Sequence, residues 1–334
     1  MGLRPLETYS QTTRIVMPRH ANPLGVLFGG NMLSWLIESS TSSAMTVASG
    51  KGEVVLGFMD EVYFLNPVRV GSRITYRSWV GHVGRSSVSV FTEALIWREG
   101  NAYEVACTSK AIYVCVGSDR RPRPLNATLE PVERWEGALM ERMGSWRRRA
   151  EDSIRALRWE RRGVVKHQLV SYRRITPEDT IAGDLLFAGR LMQFMDEVAG
   201  ILALRFANAV TVTASVDQTF FVAPITVNEA VRLEARLTRV WRSSMEVEVD
   251  AHRLGEDGEV LASRAYFTMV KMDITGPGEL PAYAPMTPEE HELWEEAGRR
   301  RERRETALSS LRELRGRPVT LDPGSPVPAL AELI

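Results

Sequence analysis

One carboxylate in the sequence lies in a setting that would alter its chemistry. Asp196 occurs in a long apolar segment, among Phe194, Met195, Val198 and Ala199. Burial among such side chains disfavours the charged form of a carboxyl group, so we expect the pKa of Asp196 to be raised. A carboxylate of this kind is suited to act as a general base towards water or as a nucleophile towards an activated carbonyl. The alternative is a helix acid that serves only the helix dipole.

A pair of glycines precedes a second segment that is predicted to be helical. Gly29-Gly30 stands directly before residues 31–48, and a related Ala188-Gly189 stands before residues 190–207. We predict a helix of about five turns for each segment. Glycine allows a close backbone approach, and the unpaired N–H groups at a helix start favour a developing negative charge. Gly30 is therefore a candidate to stabilise an oxyanion, although a glycine pair taken alone is more often a turn.

A basic and hydroxyl-bearing element occurs twice, as Arg85-Ser86-Ser87 and as Arg242-Ser243-Ser244. Guanidinium and hydroxyl groups suit phosphate oxygens, so both elements are candidate phosphate contacts. The alternative is that the serines begin strands and that each arginine is exposed to solvent. The sequence favours neither interpretation.

The repeated element belongs to a longer internal duplication. Phe64-Leu-Asn-Pro recurs as Phe221-Val-Ala-Pro at an offset of 157 residues, which is also the offset between the two Arg-Ser-Ser elements. Leu27-Phe-Gly-Gly has its counterpart in Leu186-Phe-Ala-Gly, at an offset of 159. Such ordered matches at nearly one spacing indicate two copies of one unit.

Each copy shows one predicted helix followed by alternating strands. In the second copy, apolar residues occupy every other position over 231–237 and 245–251. This period is typical of antiparallel strands with one solvated face. Turns at 99–101 and 255–258 predict hairpins. The predicted class is α+β, with two tandem domains that each wrap a curved antiparallel sheet around a central helix.

The predicted domains are separated and followed by charged segments. Residues 130–162 and 287–315 are dense in arginine and glutamate and predict solvated helices with many i,i+4 ion pairs. A basic nucleic-acid arm is the alternative, but acidic residues are interleaved throughout. We expect a first domain at 8–118, a helical linker at 119–167, a second domain at 168–275 and a C-terminal helix with an irregular tail at 276–334.

Composition excludes several classes of protein. The chain has 334 residues, is 44% hydrophobic, and carries 42 Lys+Arg against 42 Asp+Glu, so no net charge favours nucleic acid. No apolar run approaches the ~20 residues needed to cross a bilayer, and the N-terminus lacks the apolar core of a signal peptide. Cys107 and Cys115 fall in one predicted strand, too far apart to form a disulfide. We expect a cytoplasmic protein without metal or membrane contact.

Three motifs resemble those of hot-dog-fold acyl-CoA thioesterases. The segment from His20 to Gly30, with Asn22 inside it, resembles their opening motif, and residues 191–200 resemble their central-helix motif. Thr213-Ala-Ser-Val-Asp, followed by Phe221, also matches. A tandem copy with a charged helix after each half is similar to the cytosolic long-chain acyl-CoA hydrolases, over roughly residues 10–310. The resemblance implies that the halves pair, with a reaction centre at their seam.

The resemblance also implies an acid from one half and an asparagine from the other. Seven residues after the second glycine, the family's acid position holds Asp196 in the second copy and Ile37 in the first. Asn22 has Thr180 or Ile181 as its counterpart, depending on the placement of a gap. We therefore predict one composite site with Asp196, Asn22 and Gly30 as catalytic residues, where Asn22 orients water or binds the oxyanion.

Other interpretations of the residues near the predicted site remain open. Asn22 could simply close a turn, and Glu38, which aligns with Glu197 beside the acid, could act in a second, degenerate site. His20 is more often a loop histidine than a base.

The activity implied by the resemblance is hydrolysis of fatty acyl-CoA to free fatty acid and coenzyme A. No cofactor is expected beyond the coenzyme A of the substrate, whose phosphates are candidate partners for the two Arg-Ser-Ser elements. Family analogy predicts a homo-oligomer, for example a trimer of two-domain chains. Two rivals are a hot-dog hydratase or dehydratase that uses a histidine such as His20, and a non-catalytic acyl-CoA binding module.

Overall fold

The chain folds into two compact units. The computed structural model describes residues 2–156, 162–181, 183–256, 258–273, 276–321 and 324–327. The first unit comprises residues 1–27, 35–158 and 310–334, and the second comprises residues 28–34 and 159–309. The short segment 28–34 thus belongs to the second unit, although it lies in the first sequence copy.

Four α-helices are formed by the described residues: α1 (Gly29–Ala48), α2 (Arg134–Ala156), α3 (Ala188–Ala207) and α4 (Pro288–Arg312). The two central helices begin two residues earlier than predicted and end at the predicted residues. After α3, Asn208 takes the left-handed conformation at φ 47°, which is a common way to end a helix. Among the described residues, no helix is both long and apolar enough to cross a membrane.

The first unit contains an antiparallel sheet of five main strands, in the order β2-β5-β6-β7-β3. The strands in sequence are β1 (Gly2–Leu3), β2 (Ser10–Ile15), β3 (Glu53–Met59), β4 (Val62–Tyr63), β5 (Arg73–Val83), β6 (Ser87–Trp97), β7 (Tyr103–Val116) and β8 (Thr128–Leu129). Helix α1 is tied to this sheet by polar side chains. The Tyr113 hydroxyl of β7 donates to the Ile37 carbonyl at 3.1 Å, and Ser39 Oγ lies 2.8 Å from Ser78 Oγ of β5.

The second unit repeats this sheet, with β14 pairing to both β10 and β11 and the order continuing β14-β13-β12-β9. Its strands are β9 (Gln168–Arg174), β10 (Thr211–Val216), β11 (Thr219–Phe221), β12 (Ala230–Val240), β13 (Ser244–Gly255), β14 (Gly258–Asp273) and β15 (Gly276–Pro277). Helix α3 contacts β9, β10, β12, β13 and β14. The apolar residues of the predicted alternation, such as Leu233 and Val247, are fully buried. The predicted α+β class, with a sheet around one helix in each copy, is confirmed.

The charged segments form helices with i,i+4 ion pairs, as predicted, but each helix also has a buried face that was not expected. Helix α2 buries Leu139, Met143, Trp146 and Ala150. Helix α4 buries Leu293 and Ala297, and with them the guanidinium-bearing Arg300 and Arg304. Both sets recur at helical spacing, so each helix presents one packed face. Residues 157–161 of the predicted linker helix lie outside the described residues.

The hairpin at 255–258 is present, since Gly255 pairs with Gly258, while Asp257 lies outside the described residues. The C-terminal segment, predicted to be irregular, contributes β16 (Pro318–Val319), which pairs with β7. Further along, the Trp79 indole N–H donates to the Gly324 carbonyl at 2.7 Å. Residues 322–323 and 328–334 of the predicted tail lie outside the described residues.

Both cysteines are buried and unpaired in β7, as their placement in one strand predicts.

Candidate active site

Asp196 lies in the third turn of α3, and its side chain is fully buried. Its Oδ1 accepts a hydrogen bond from the Thr213 hydroxyl at 2.6 Å. Its Oδ2 accepts a hydrogen bond from the backbone N–H of Gly30, also at 2.6 Å. Both carboxylate oxygens therefore have a fixed donor, which orients the group.

The pKa of Asp196 is raised to about 6. Burial is the largest cause, because it disfavours the charged form, and the hydrogen bonds from Thr213 and Gly30 oppose it only in part. This direction is the one expected from the apolar neighbours of Asp196 in the sequence. A carboxyl group with a pKa near 6 is ionised at neutral pH and is still basic enough to take a proton from water.

The glycine pair at the start of α1 permits this close arrangement. A Cβ at Gly29 would lie 2.8 Å from Thr213 Cβ and 2.9 Å from Asp196 Oδ2. A Cβ at Gly30 would lie 2.9 Å from the Gln193 Cα. No side chain fits at either position without a shift of the backbone. We expected the Gly30 N–H to face a developing oxyanion, whereas in this structure it donates to the carboxylate of Asp196.

Thr213 is a site residue that the sequence reasoning did not assign a role. It lies on β10, seventeen residues after Asp196, and only the tertiary contact reveals its hydrogen bond. The available signal was its position at the head of the motif Thr213-Ala-Ser-Val-Asp, which matched the family pattern.

The corresponding positions of the first copy are both apolar. Ile37 stands at the position of Asp196, and Leu56 stands at the position of Thr213. The second match is supported by register, because β3 is irregular directly after Leu56 and β10 directly after Thr213. Ile37 and Leu56 are 1% and 7% exposed, so buried apolar side chains occupy both matched positions of the first copy, where the second copy has the acid and the hydroxyl.

Asn22 lies in a turn of the first unit, and its side-chain carbonyl closes that turn. Asn22 Oδ1 accepts hydrogen bonds from the backbone N–H groups of Leu24 at 3.0 Å and Val26 at 3.2 Å. Gly25 completes the turn at φ 70°. Asn22 therefore does close a turn, which is the structural role that the sequence left open. Since the carbonyl oxygen is occupied, the side-chain amide N–H groups are what Asn22 can offer to a ligand.

The structure resolves which residue corresponds to Asn22. An isolated antiparallel bridge joins Ala21 to Leu27 in the first copy, and a matching bridge joins Thr180 to Leu186 in the second. Thr180 is therefore equivalent to Ala21, and Ile181 is the counterpart of Asn22.

Glu38 is paired with Arg14, whose guanidinium donates to its carboxylate. The aligned Glu197 forms the same pair with Arg173, at 2.6 Å. All four side chains are between 33% and 46% exposed. Glu38 and Glu197 directly follow the matched positions 37 and 196, and each forms an equivalent ion pair at the surface.

The two Arg-Ser-Ser elements begin β6 and β13, respectively. Arg85 and Arg242 are exposed, and their carbonyl groups accept backbone hydrogen bonds. The hydroxyl group of Ser87 accepts a hydrogen bond from Arg147 of α2 at 3.1 Å, and that of Ser244 accepts one from Arg301 of α4 at 3.4 Å. Ser86 and Ser243 accept backbone hydrogen bonds through their carbonyl groups. These backbone contacts are the ones expected at the start of a strand, and the side chains of Arg85 and Arg242 are exposed to solvent.

His20 ends a short 3-10 turn and packs against Trp35, with ring centroids 5.0 Å apart. Its Nδ1 accepts from the Met17 N–H at 3.2 Å, and its Nε2 lies 3.1 Å from Arg19 Nε. Partial burial, Arg19 and Arg14 lower the pKa of His20.

Within the described part of the chain, no group of three or more His, Cys, Asp or Glu side chains could hold a metal ion.

Comparison with known proteins places these features in a family. A profile of the thioesterase superfamily matches residues 24–104 and 183–259, one segment in each copy. An uncharacterized acyl-CoA thioester hydrolase of Bacillus subtilis is 38% identical over 135 residues, which cover 39% of this chain and 78% of that protein. The human cytosolic acyl coenzyme A thioester hydrolase is 28% identical over 312 residues, which cover 85% of this chain and 80% of that protein.

A solved structure agrees on the fold. The acyl-ACP thioesterase of Bacteroides thetaiotaomicron covers 80% of this chain and 100% of its own, with a TM-score of 0.52 at 11% identity. Two profile matches, one for each half of a duplicated sheet-and-helix fold, and a relative at 38% identity lead to one conclusion. The chain belongs to the thioesterase superfamily.

Proposed function

We propose that this protein is an acyl-CoA thioester hydrolase that converts fatty acyl-CoA and water to free fatty acid and coenzyme A. The observation that carries the proposal is the buried Asp196, held by Gly30 and Thr213, with a pKa of about 6. The names of the bacterial and human relatives, both acyl-CoA thioester hydrolases, support the same substrate class.

In the proposed reaction, the ionised Asp196 removes a proton from a water molecule as the water oxygen adds to the thioester carbonyl carbon. The carbonyl oxygen becomes an oxyanion in the tetrahedral intermediate. The intermediate then expels the sulfur by breaking the C–S bond, and the proton on Asp196 passes to the departing thiolate. Asp196 returns to its ionised form, so the cycle is balanced.

Direct attack by Asp196 is the alternative that this chemistry allows. A mixed anhydride between Asp196 and the acyl group would then form and be hydrolysed. After a single turnover in 18O-labelled water, label in Asp196 would identify the anhydride route with hydrolysis at the aspartyl carbonyl. A quenched acyl-Asp196 adduct would identify that route whichever carbonyl the water attacks, because general-base catalysis gives neither result.

We assign Asn22 to the same reaction, as a donor to the thioester oxygen. Its carbonyl oxygen is committed to the N–H groups of Leu24 and Val26, which leaves the amide N–H groups for hydrogen bonding to the substrate. A preorganised donor of this type stabilises an oxyanion as it forms. Gly30 contributes by holding Asp196, which differs from the oxyanion role first expected of it.

We propose the domain bounds, the phosphate contacts, the location and the assembly of the protein from its sequence. The two hot-dog domains are assigned to residues 8–118 and 168–275, with the charged helical linker at 119–167 and the C-terminal helix and irregular tail at 276–334. The coenzyme A phosphates are assigned to the exposed Arg85 or Arg242 with their neighbouring serines. We propose that the reaction needs no metal, that the protein is cytoplasmic, and that it forms a homo-oligomer.

The proposal is tested by measuring thiol release from acyl-CoA substrates of increasing chain length. Wild-type protein should release coenzyme A, and Asn22→Ala should lower kcat about 100-fold, the typical effect of losing one oxyanion donor. Ile181→Ala, at the counterpart of Asn22, should leave kcat unchanged.

Other outcomes point to the rival functions. Binding of acyl-CoA without thiol release would identify a non-catalytic module. Hydration of an enoyl-CoA that is lost in His20→Ala but not in Asp196→Ala would identify a hydratase.

A further inference from the structure

A side-chain bridge beside Asp196 joins the first turn of α1 to the second turn of α3. Gln193 Nε2 donates a hydrogen bond to Asn31 Oδ1 at 2.9 Å. Asn31 follows Gly30, whose N–H holds Asp196, and Gln193 precedes Asp196 by three residues. Residues three positions apart lie one above the other on a helix surface. The bridge therefore spans the same two helices as the Gly30–Asp196 hydrogen bond.

The Gln193 amide is held in one orientation. Its Oε1 accepts a hydrogen bond from Arg190 Nη1 at 3.0 Å. Arg190 in turn donates through Nε to Asp179 Oδ1 at 2.8 Å. Asp179 is 4% exposed and accepts further hydrogen bonds from the backbone and hydroxyl of Thr176. With its carbonyl engaged by Arg190, Gln193 must turn its NH2 group towards Asn31.

The two helices touch at this point. A Cβ at Gly30 would lie 2.9 Å from Gln193 Cα, so little space separates the backbones. Hydrogen bonds weaken steeply with distance and misalignment. A small displacement of the α1 start along or away from α3 would therefore weaken the Gly30–Asp196 hydrogen bond.

The bridge is present at only one of the two equivalent places. At the offset of 159 residues, Asn31 corresponds to Arg190 and Gln193 corresponds to Ser34. The serine side chain is too short to make an equivalent bridge, and its Oγ would lie 2.9 Å from a Cβ at Gly189. The amide pair therefore accompanies the acid and is not a general feature of how these helices meet.

We propose that Gln193 is a positioning residue for thioester hydrolysis, which acts by holding Asn31 and the start of α1 so that the Gly30 N–H stays on Asp196. This inference rests on the proposed function. Loss of the bridge would loosen a hydrogen bond that stabilises the ionised carboxylate. The pKa of Asp196 would then rise, and activity would be lost at a higher pH as the solution is acidified.

Other charges near α3 do not set the ionisation of Asp196, which responds to burial, Thr213 and Gly30. Several charged side chains on α3 and on the strands packed against it are in ion pairs with other groups, and neither these nor Arg205 of α3 and Lys271 of β14 are among the causes of the shift at Asp196. The paired side chains include Arg190 and Glu197 on α3, Arg173 on β9, Arg236 on β12, Asp250 on β13 and Arg264 on β14. Asp217, which follows β10, is paired with Arg304.

The test compares wild type with Gln193→Met, which keeps a long, helix-favouring side chain but removes the donor. Ser34→Ala is the matched control in the first copy. The ionisation of Asp196 is measured without substrate by 13C NMR titration of carboxyl-labelled aspartate, with Asp196→Asn used to assign the signal. The pH dependence of kcat and KM for an acyl-CoA is measured in parallel, and a melting curve shows that each variant is folded.

We expect Gln193→Met to raise the titration midpoint of Asp196 by about half a pH unit or more and to move the acidic limb of kcat with it. The plateau value of kcat should fall several-fold, while KM stays within about twofold. The double variant Asn31→Gln/Gln193→Asn, which restores an amide pair of the same combined length, should recover the wild-type midpoint. Ser34→Ala should leave the midpoint unchanged.

An unchanged midpoint in folded Gln193→Met would overturn the inference, as would failure of the double variant to recover it. The titration needs no turnover, so it gives this answer even if wild type releases no coenzyme A. Absence of coenzyme A release by wild type would contradict the proposed function. The NMR titration would still show whether the bridge positions Asp196.

Discussion

The two copies of the central helix differ at the position where chemistry would occur. In the second copy, the Thr213 hydroxyl donates a hydrogen bond to the buried Asp196, whereas the matched positions of the first copy hold the buried apolar side chains of Ile37 and Leu56. Both strands carry the same irregularity directly after the matched residue. The same strand irregularity is thus present in both copies, while the acid and its hydroxyl partner are present in only one.

The outer helices show a second difference between the copies. In the first unit, Trp146 of α2 donates to Asp60 Oδ2 at 2.7 Å. In the second unit, at the equivalent aspartate, Arg304 of α4 donates to Asp217 Oδ2 at 2.7 Å and also binds Glu246. The same helix-on-sheet contact is therefore mainly apolar in one unit and ionic in the other. The two copies therefore carry different side-chain contacts on a shared fold. Four experiments test these differences between the copies.

The largest effect is expected at the acid itself. Asp196→Asn keeps the shape of the side chain but removes its basicity, and we expect kcat to fall by about three orders of magnitude, in the usual range for loss of a general base. Thiol release at neutral pH measures this. Ile37→Val, at the equivalent position of the first copy, should change kcat by less than about twofold. A large loss in the control would mean that position 37 of the first copy also matters for turnover.

The second experiment concerns the ionic contact under α4. Burial disfavours the charge of Glu246, but Arg300 and Arg304 outweigh burial and lower its pKa. Glu246→Gln leaves two buried guanidinium groups without this carboxylate, and we expect a loss of about 3 kcal/mol in the free energy of unfolding. Urea unfolding of wild type and Glu246→Gln measures this loss in the free energy of unfolding.

Ser89→Ala, at the equivalent position of the first unit, is the control for that stability test. Its hydroxyl accepts only a long hydrogen bond from Arg147, so the expected loss is below about 1 kcal/mol. Equal losses in Glu246→Gln and Ser89→Ala would contradict the distinction between an ionic and an apolar contact.

The third experiment tests the partner of the acid. Thr213→Val removes the hydroxyl that helps to keep Asp196 ionised, so the pKa of Asp196 should rise above its present value of about 6. Activity requires the ionised form and is lost as pH falls through the pKa, so the acidic limb of the kcat profile should move to higher pH. We expect kcat at neutral pH to fall about tenfold. Leu56→Val is the control, and a limb that stays in place in Thr213→Val would argue against the assigned contact.

The smallest effect is expected at the acids that the two copies share. Glu38→Gln and Glu197→Gln each break a partly exposed ion pair, with Arg14 and Arg173 respectively. Such pairs contribute at most about 1 kcal/mol to stability and have no assigned role in turnover. Both variants should keep kcat within about twofold. A severe loss in Glu38→Gln alone would indicate a second working site and would undo the asymmetry.

Much of this arrangement was predictable because its signals are local. Alternating apolar residues over 231–237 predicted a half-buried strand, and the glycine pairs predicted the starts of both central helices to within two residues. The apolar neighbours of Asp196 predicted its burial and the direction of its pKa shift. Each of these inferences depends only on the side-chain period of a helix or strand.

Other features were not predictable because they depend on contacts between distant segments. Arg300 and Arg304 looked like solvated helix residues, since their buried partners lie on strands far away in the sequence. The C-terminal segment looked irregular, yet it pairs with β7 and receives a hydrogen bond from Trp79. The sequence left Thr180 and Ile181 as possible counterparts of Asn22, and only the pairing of Thr180 with Leu186 shows that Ile181 is the counterpart.

The sequence by itself determined the duplication, the elements of each copy and the presence of the acid in only one of them. The tertiary structure decided which groups the acid meets. Gly30 is 166 residues from Asp196, and no local pattern specifies that its N–H would hold that carboxylate rather than face a substrate. Periodicity encodes which face of an element is buried, whereas the partner of a buried polar group is chosen when separate elements pack together.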